Sequence, residues 1–371
     1  YYDITHATSS DRVNLNVHTY KVCDNKGMKM TWDVDYLRDN RDENMGFLSK
    51  TLLPDGTEIP GTNFDYNYLQ HRKVDVVSSA LDFILPFEKY KITAGAKVSF
   101  TNTRNGINYD TSDPTLVQDD YFRYKEQIYA LYADYSREFS ERFSMQLGLR
   151  MEHTRTTGIS EAKDTEDKHD YTRLFPTVYL LYSPTDGHAL NFSFSNRISR
   201  PSQNMVNPFP FYQNKYTYAC GREDLKPSYT YNVELGYTLK NNFNVSAYYS
   251  YSDDVFFQVV DLDAETNATS FLWENFMQTH AFGLNNSYTF RTKWLQAYAQ
   301  HGVSYRRTTP SAATTPPEEK GWAYDASLRN TFFFNEQKTL LATLSGSYSS
   351  RQYKGIYLMS PTYSIHAGML Y

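Results

Sequence analysis

The sequence predicts an all-β fold, a transmembrane antiparallel β-barrel with short turns at one rim and long loops at the other. Three observations lead there. Apolar residues recur at every second position, and their partners on the opposite face are mostly Asn, Ser, Gly and Gln. No stretch of eighteen or more apolar residues occurs, which excludes a transmembrane helix. The connections between alternating segments are by turns short and long.

The alternation is clearest at Tyr231–Leu239, where Tyr231, Val233, Leu235, Tyr237 and Leu239 share one face and Asn232, Glu234, Gly236 and Thr238 the other. It resumes over Phe243–Tyr251 after the turn at 240–242, and recurs over 92–100, 143–149 and 190–194. A soluble sandwich also alternates, but it places Lys, Glu and Thr towards water. Small neutral polar residues suit a lumen, and an unbroken apolar face suits lipid. The 34 Tyr and 23 Phe sit in a chain of mean hydropathy -0.64, which fits a wall with one face in lipid and one in water.

Strands are expected near 12–22, 28–38, 73–85, 90–104, 123–139, 143–156, 171–183, 188–200, 229–240, 242–255, 274–290, 294–308, 321–334, 338–351 and 362–371. Short turns, such as 87–89, 140–142, 184–187 and 335–337, alternate with polar links near 39–72, 105–122, 157–170, 201–228, 256–273, 309–320 and 352–361. Turns facing the periplasm and loops facing the exterior are the outer-membrane arrangement. The segment 310–317 (PSAATTPP) reads as an extended loop tip without chemistry. A single-chain bacterial barrel closes with an even number of strands, so an odd count of about fifteen implies that closing strands are missing. Residues 1–371 are therefore expected to be a partial barrel domain without plug, N-terminal strands or C-terminal closing strands. Residues 1–10 are polar and form no leader, so an exported chain is expected to begin upstream of Tyr1.

Composition removes several functions. A net charge of -5 without a Lys/Arg block gives nucleic-acid binding no support. Cys23 and Cys220 have no metal-ligand spacing; one falls in a turn and the other in a long loop, at opposite rims, too far apart for a disulfide. No GxSxG or HExxH occurs. Glu152 and His153, adjacent on a strand, point to opposite faces. No enzymatic activity, catalytic residue, metal or cofactor is expected. Asp39, Asp42 and Glu43, and likewise Asp119 and Asp120, lack the spacing of a calcium loop. The run Glu161, Asp164, Glu166 and Asp167 with Lys163 and Lys168 reads as a solvated loop.

One segment carries a resemblance. Asn196-Arg197-Ile198-Ser199-Arg200-Pro201-Ser202 followed by Asn207-Pro208-Phe209 resembles a stretch of Bacteroidota outer-membrane β-barrel proteins, which are similar to TonB-dependent receptors. Gly221-Arg222-Glu223-Asp224-Leu225-Lys226-Pro227-Ser228-Tyr229, running into Glu234-Leu235-Gly236-Tyr237, is similar to a signature of TonB-dependent barrels, with Arg222 and Glu223 in place of the usual Asn-Pro. The family positions are Arg197, Arg200, Pro201, Asn207, Pro208, Gly221, Leu225, Lys226 and Pro227. The resemblance implies a 22-stranded barrel, which at about 25 residues per strand needs roughly 550 residues. It also implies an N-terminal plug linked to TonB, and import of a scarce solute by loop capture and plug displacement. The partners expected are outer-membrane lipid, TonB acting through a plug, and a surface lipoprotein or other outer-membrane subunits. A structural barrel subunit and an unplugged diffusion pore are the alternatives.

Physical reasons accompany the motif. Pro201 and Pro227 fit where strands leave the wall, because neither donates to a ladder. Gly221 is expected to take a positive φ in the descending turn. Exposed aromatics stack on flat ligands, which makes Phe209, Phe211, Tyr212 and Tyr216, with Arg200, the candidate ligand contacts. Loop packing or an interfacial girdle is the plainer role for the same rings, with Tyr218 among them.

Overall fold

The computed structural model describes residues 2–25, 27–61, 63–111, 119–214, 216–265, 267–310 and 318–371. Its strands are β1 (Tyr2–Val22), β2 (Lys29–Ser49), β3 (Phe64–Pro86), β4 (Lys91–Thr111), β5 (Asp120–Ser140), β6 (Phe143–Ser160), β7 (Thr165–Tyr182) and β8 (His188–Ser199). One helical turn, α1 (Gln203–Val206), and two short strands, β9 (Phe211–Asn214) and β10 (Thr217–Cys220), follow. The wall resumes with β11 (Ser228–Leu239), β12 (Phe243–Leu262), β13 (Thr269–Arg291), β14 (Leu295–Pro310), β15 (Glu319–Phe333) and β16 (Leu341–Ser349). A hairpin of β17 (Gln352–Lys354) and β18 (Tyr357–Met359) precedes β19 (Thr362–Leu370).

The main sheet has 17 strands; without β9 and β10 it is an antiparallel meander of fifteen, β1 to β8, β11 to β16, then β19. Each expected strand corresponds to one wall strand. Among the described residues β1 is paired only to β2 and β19 only to β16, so the wall is open between them.

Register gives the two faces their chemistry. Phe192, Leu235, Ala247, Leu284, Val303 and Tyr324 stand side by side in one row across five ladders. One residue along, on the other face, the row is Asn191, Gly236, Ser246, Asn285, Gly302, Asp325 and Ser349. The first row belongs to lipid and the second to the lumen. Gly236 leaves the room that Asn191 occupies, since a Cβ there would sit 2.8 Å from its Nδ2.

The strands differ from expectation at the long-loop end. β2 to β5 are 21–23 residues long, about 70 Å when extended, against a lipid band about 25 Å tall. The last outward apolar row is Tyr36, Val77 and Phe100; the next is Arg38, Asp75, Asn102, Lys125 and Thr157. Above that level strands continue without any need for an apolar outer face. Most of the expected link 39–72 is therefore ladder, with only 50–63 outside strands, and the link 157–170 shrinks to 161–164. The tip 311–317 lies outside the described residues.

Candidate functional site

The 200–227 insert, between β8 and β11, folds inwards across the mouth. Its starting point is a parting of the wall. β7 begins at Thr165, but its ladder with β8 ends at the pair Thr177–Ser195. Arg200 closes this gap. Its Nη2 donates to Glu152 Oε1 and, at 3.3 Å, to Thr154 Oγ1, and Glu126 lies 3.8 Å from Nε. Glu152 is buried and also takes Nη2 of Arg150 at 2.6 Å. Removing either arginine would leave a buried carboxylate short of charge. Arg197, at the same strand end, is exposed and borders a cleft of about 480 Å³ with Tyr132, Arg150, Glu152 and Phe175.

Beyond Pro201 the insert makes the mouth's core. Val206, Phe209 and Leu225 are buried against Phe47 of β2, Phe64, Tyr66 and Tyr68 of β3, Ile107 and Tyr109 of β4 and Phe122 of β5. Phe209 is 2% exposed, its ring 6.4 Å from that of Phe122 in an edge-on arrangement. Tyr66 and Tyr109 donate to the Pro210 carbonyl at 3.3 and 3.2 Å. These tyrosines stand above the lipid band, and burial raises both phenols beyond their usual range, which keeps the hydroxyls as donors. Phe211, Tyr212 and Tyr218 are half-buried, and Tyr212 sits 4.9 Å from Tyr66 and 5.4 Å from Tyr218 between ring centroids. Tyr216 is 54% exposed.

The far side of the bridge is equally defined. β10 pairs in parallel with the upper end of β13, Thr217–Cys220 against Thr269–Leu272, an edge that β14 leaves free above Met277. Asn275 of β13 receives the Lys226 amide at 2.7 Å and donates to the Lys226 carbonyl at 2.9 Å. Phe256 of β12 and Trp273 of β13 pack against the same aromatic core. Thus the insert ties β2–β5 to β12–β13 across the lumen.

Within the insert, backbone meets backbone. Gly221 N–H donates to Asn207 O at 2.9 Å and Arg222 N–H to Met205 O at 2.8 Å. A Cβ on Gly221 would stand 2.7 Å from Asn207 N and Met205 O, and closer still to Asn207 O. The expected positive φ is corrected here: Gly221 is not among the positive-φ glycines, and contact distance alone demands glycine. Asn207, almost fully buried, accepts the Phe209 amide at 3.2 Å, and Pro208 is buried with its carbonyl facing Cys220 Sγ at 3.0 Å. Burial raises the Cys220 thiol above its usual range. Cys220 and the exposed Cys23 are both free thiols. Arg222 pairs with Asp224 at 2.6 Å and with Glu274 at 3.1 Å; the arginine's hydrogen bond holds the Asp224 carboxyl below its usual range. Pro227 is buried where β11 begins.

The acidic groups have structural partners. Asp119 accepts from the Tyr109 amide at 2.8 Å, and Asp120 from Ser160 at 2.7 Å and the Ala162 amide at 2.8 Å. Asp39 pairs with Arg12 and Asp42 with His71, while His6 lies 3.0 Å from Glu43. Glu166 pairs with Lys168 and Asp167 with His169. The motif points to the insert, but its partner residues Tyr66, Tyr109 and Phe122 come from segments read as polar links, and Asn275 and Glu152 from strands read only as wall. The period-two aromatics Phe64, Tyr66 and Tyr68 are the one signal that marks part of that surface.

Residues 21–371 match the model of the outer membrane protein beta-barrel family. The chain belongs to that family. Its place is therefore the bacterial outer membrane, the setting that the apolar outer rows fit. No curated protein sequence matches the chain. Among solved structures, the copper transporter OprC is similar at TM-score 0.62 and 11% identity, over 99% of this chain and 66% of OprC. FpvA from Pseudomonas aeruginosa, the pyoverdine outer membrane receptor, is similar at 0.60 and 13%, over 98% of this chain and 55% of its own length. The ferric yersiniabactin uptake receptor FyuA from Yersinia pestis gives 0.54 and 13%, over 92% and 54%. These identities speak for the fold alone. The family barrel here spans between about half and two thirds of each receptor it resembles.

Proposed function

We propose that this barrel is part of a TonB-dependent-receptor-like importer, of the Bacteroidota type that its motif resembles, which captures a scarce solute at its mouth. The observation that carries the reading is the bridged mouth. An insert with a buried aromatic core spans the lumen above the membrane and offers Phe211, Tyr212 and the exposed Tyr216 to solvent. Phe209 and Arg200 support this surface from beneath, through the core and the Glu152 pair. A diffusion pore gains nothing from such an obstruction. Release inwards would follow displacement of a plug by TonB, with no covalent step assigned to any residue and no cofactor. The similar structures have copper, pyoverdine and yersiniabactin in their names, so a shared fold does not name the solute. A surface lipoprotein is the further partner that fits a mouth built above the bilayer.

The test takes the full-length chain. Deleting its gene and deleting TonB should produce the same growth defect on the same limiting nutrient, and the purified protein should show no steady conductance in planar bilayers. Steady conductance would identify a pore. A closed protein whose deletion leaves growth unchanged on every nutrient that needs TonB would identify a structural subunit.

A further inference from the structure

The outer face of β3–β5 carries charge where the membrane ends. Lys73, Arg104 and Arg123 are directly opposite one another across two ladders, and Lys125 follows in the adjacent row beside Asn102. Their outward direction is fixed by parity with Val77, Phe100 and Tyr129, exposed apolar residues on the same three strands. Phe100 and Tyr129 pack edge-on at 5.8 Å within the lipid-facing band. Four residues separate Lys73 from Val77 and Arg104 from Phe100, so the charges stand about 13 Å along the strands from that edge. With strands tilted about 40° this is about 10 Å of height. Long side chains that reach back along the wall bring the charges to the headgroup zone, which extends about 5–8 Å beyond the hydrocarbon. The side is that of the long loops, which is the outer leaflet.

Like charges directly opposite on neighbouring strands are destabilising unless a counter-charge is supplied. Nearby acids are hydrogen-bonded to other cations: Asp75 to Arg38 at 2.7 Å, with Lys73 acting on it only at longer range, Asp42 to His71, Asp170 to Arg155 at 2.8 Å and Glu166 to Lys168 at 2.7 Å. Among the described residues none of Lys73, Arg104, Arg123 and Lys125 has an ion-pair partner; Arg123 Nε donates only to the neutral Asn102 Oδ1, at 3.3 Å. All four are half-buried, so they are held against the wall. In a chain of net charge -5 this cluster is a local excess, and the outward cations Arg307 and Lys320 on β14 and β15 differ from it in sharing Glu318.

We infer that Lys73, Arg104, Arg123 and Lys125 form a binding site for the phosphate groups of an anionic lipid of the outer leaflet, whose acyl chains lie on Val77, Phe100 and Tyr129. Phosphate oxygens supply the missing counter-charge, and guanidinium groups bind them by paired hydrogen bonds. Such a lipid fixes the height and rotation of the barrel beneath its mouth. The inference is independent of whether the protein imports a solute.

The experiment uses the full-length protein in phosphatidylcholine nanodiscs doped with fluorescent lipid A, either bis-phosphorylated or dephosphorylated. Wild-type protein should retain the phosphorylated form, with retention falling as salt rises. The variant Lys73→Gln/Arg104→Gln/Arg123→Gln/Lys125→Gln should bind it at least about a hundredfold more weakly, from about fivefold per charge removed. The ion-paired control Arg155→Gln/Lys168→Gln should change binding less than about twofold. Heat-resistant migration in detergent gels checks that each variant is folded. Equal retention of phosphorylated and dephosphorylated lipid, or of the phosphorylated lipid by wild type and a folded quadruple variant, would overturn the site.

Discussion

Replacing Phe209 by Ala should unfasten the bridge without touching the wall. The ring is 2% exposed and rests on Phe122, which is fully buried. Truncating a buried Phe to Ala costs about 3–5 kcal/mol. The insert's other fastenings to the wall are spread along it: the Tyr66 and Tyr109 bonds to Pro210, the Arg200–Glu152 pair, the β10–β13 ladder, the Arg222–Glu274 pair and the Asn275–Lys226 bonds. At a net of about 0.5–1.5 kcal/mol for each hydrogen bond, no single one of them matches the ring's share. The loss therefore falls on the insert as a local opening, while ladders of up to 23 residues stay closed. Hydrogen exchange by mass spectrometry on the full-length protein reads this directly. Peptides covering 203–222 should lose about 100-fold in protection, the equivalent of about 3 kcal/mol, and wall peptides such as 92–100 should keep theirs. Unchanged protection in the insert would refute the assignment of Phe209 as its anchor. A loss spread evenly over the wall would refute the separation of bridge and barrel.

Other outcomes follow from the same contacts. Gly221→Ala should open the insert as far as Phe209→Ala, because a Cβ meets Asn207 and Met205 backbone and not a side chain that can turn away; equal proteolytic resistance of variant and wild type would contradict this. Acid should loosen the insert late. Asp224 has its folded pKa lowered by Arg222, so its stabilisation is complete above the unfolded value and is lost as pH falls through the lower folded one. Resistance of the insert to an acid-tolerant protease should hold steady down to about pH 4 and decline below it, and Asp224→Asn should weaken the insert at neutral pH and flatten that decline.

The wall was legible in the sequence and the bridge was not. Alternation over residues such as Tyr231–Leu239 reports lipid on one side, a constraint strong enough to locate all fifteen wall strands. It stops reporting above the bilayer. There Asp39, Arg41 and Glu43 line the inner face of β2 and Arg38, Asn40 and Asp42 its outer face, so a continuous ladder reads as a polar link. The resemblance names Asn207, Pro208, Gly221 and Leu225 as family positions, and all four lie in the folded insert. The positive φ expected of Gly221 as a turn glycine is not found, because an approach between the Gly221 and Asn207 backbones leaves no local pattern in either segment. Hydrogen-bonding partners of the insert lie from 46 (Thr154 to Arg200) to 144 positions away (Tyr66 to Pro210), and no motif connects them to it.

The bridge itself is most directly tested by an engineered disulfide between β10 and β13. Ala219 and Phe271 are register partners there, within reach of a disulfide once both are Cys, with Cys23 and Cys220 replaced by Ser. Oxidising the full-length variant in outer-membrane vesicles should join the pair as fully as the wall control Val233→Cys/Tyr249→Cys. A control that closes beside a test pair that stays reduced would mean that the insert does not cross the mouth.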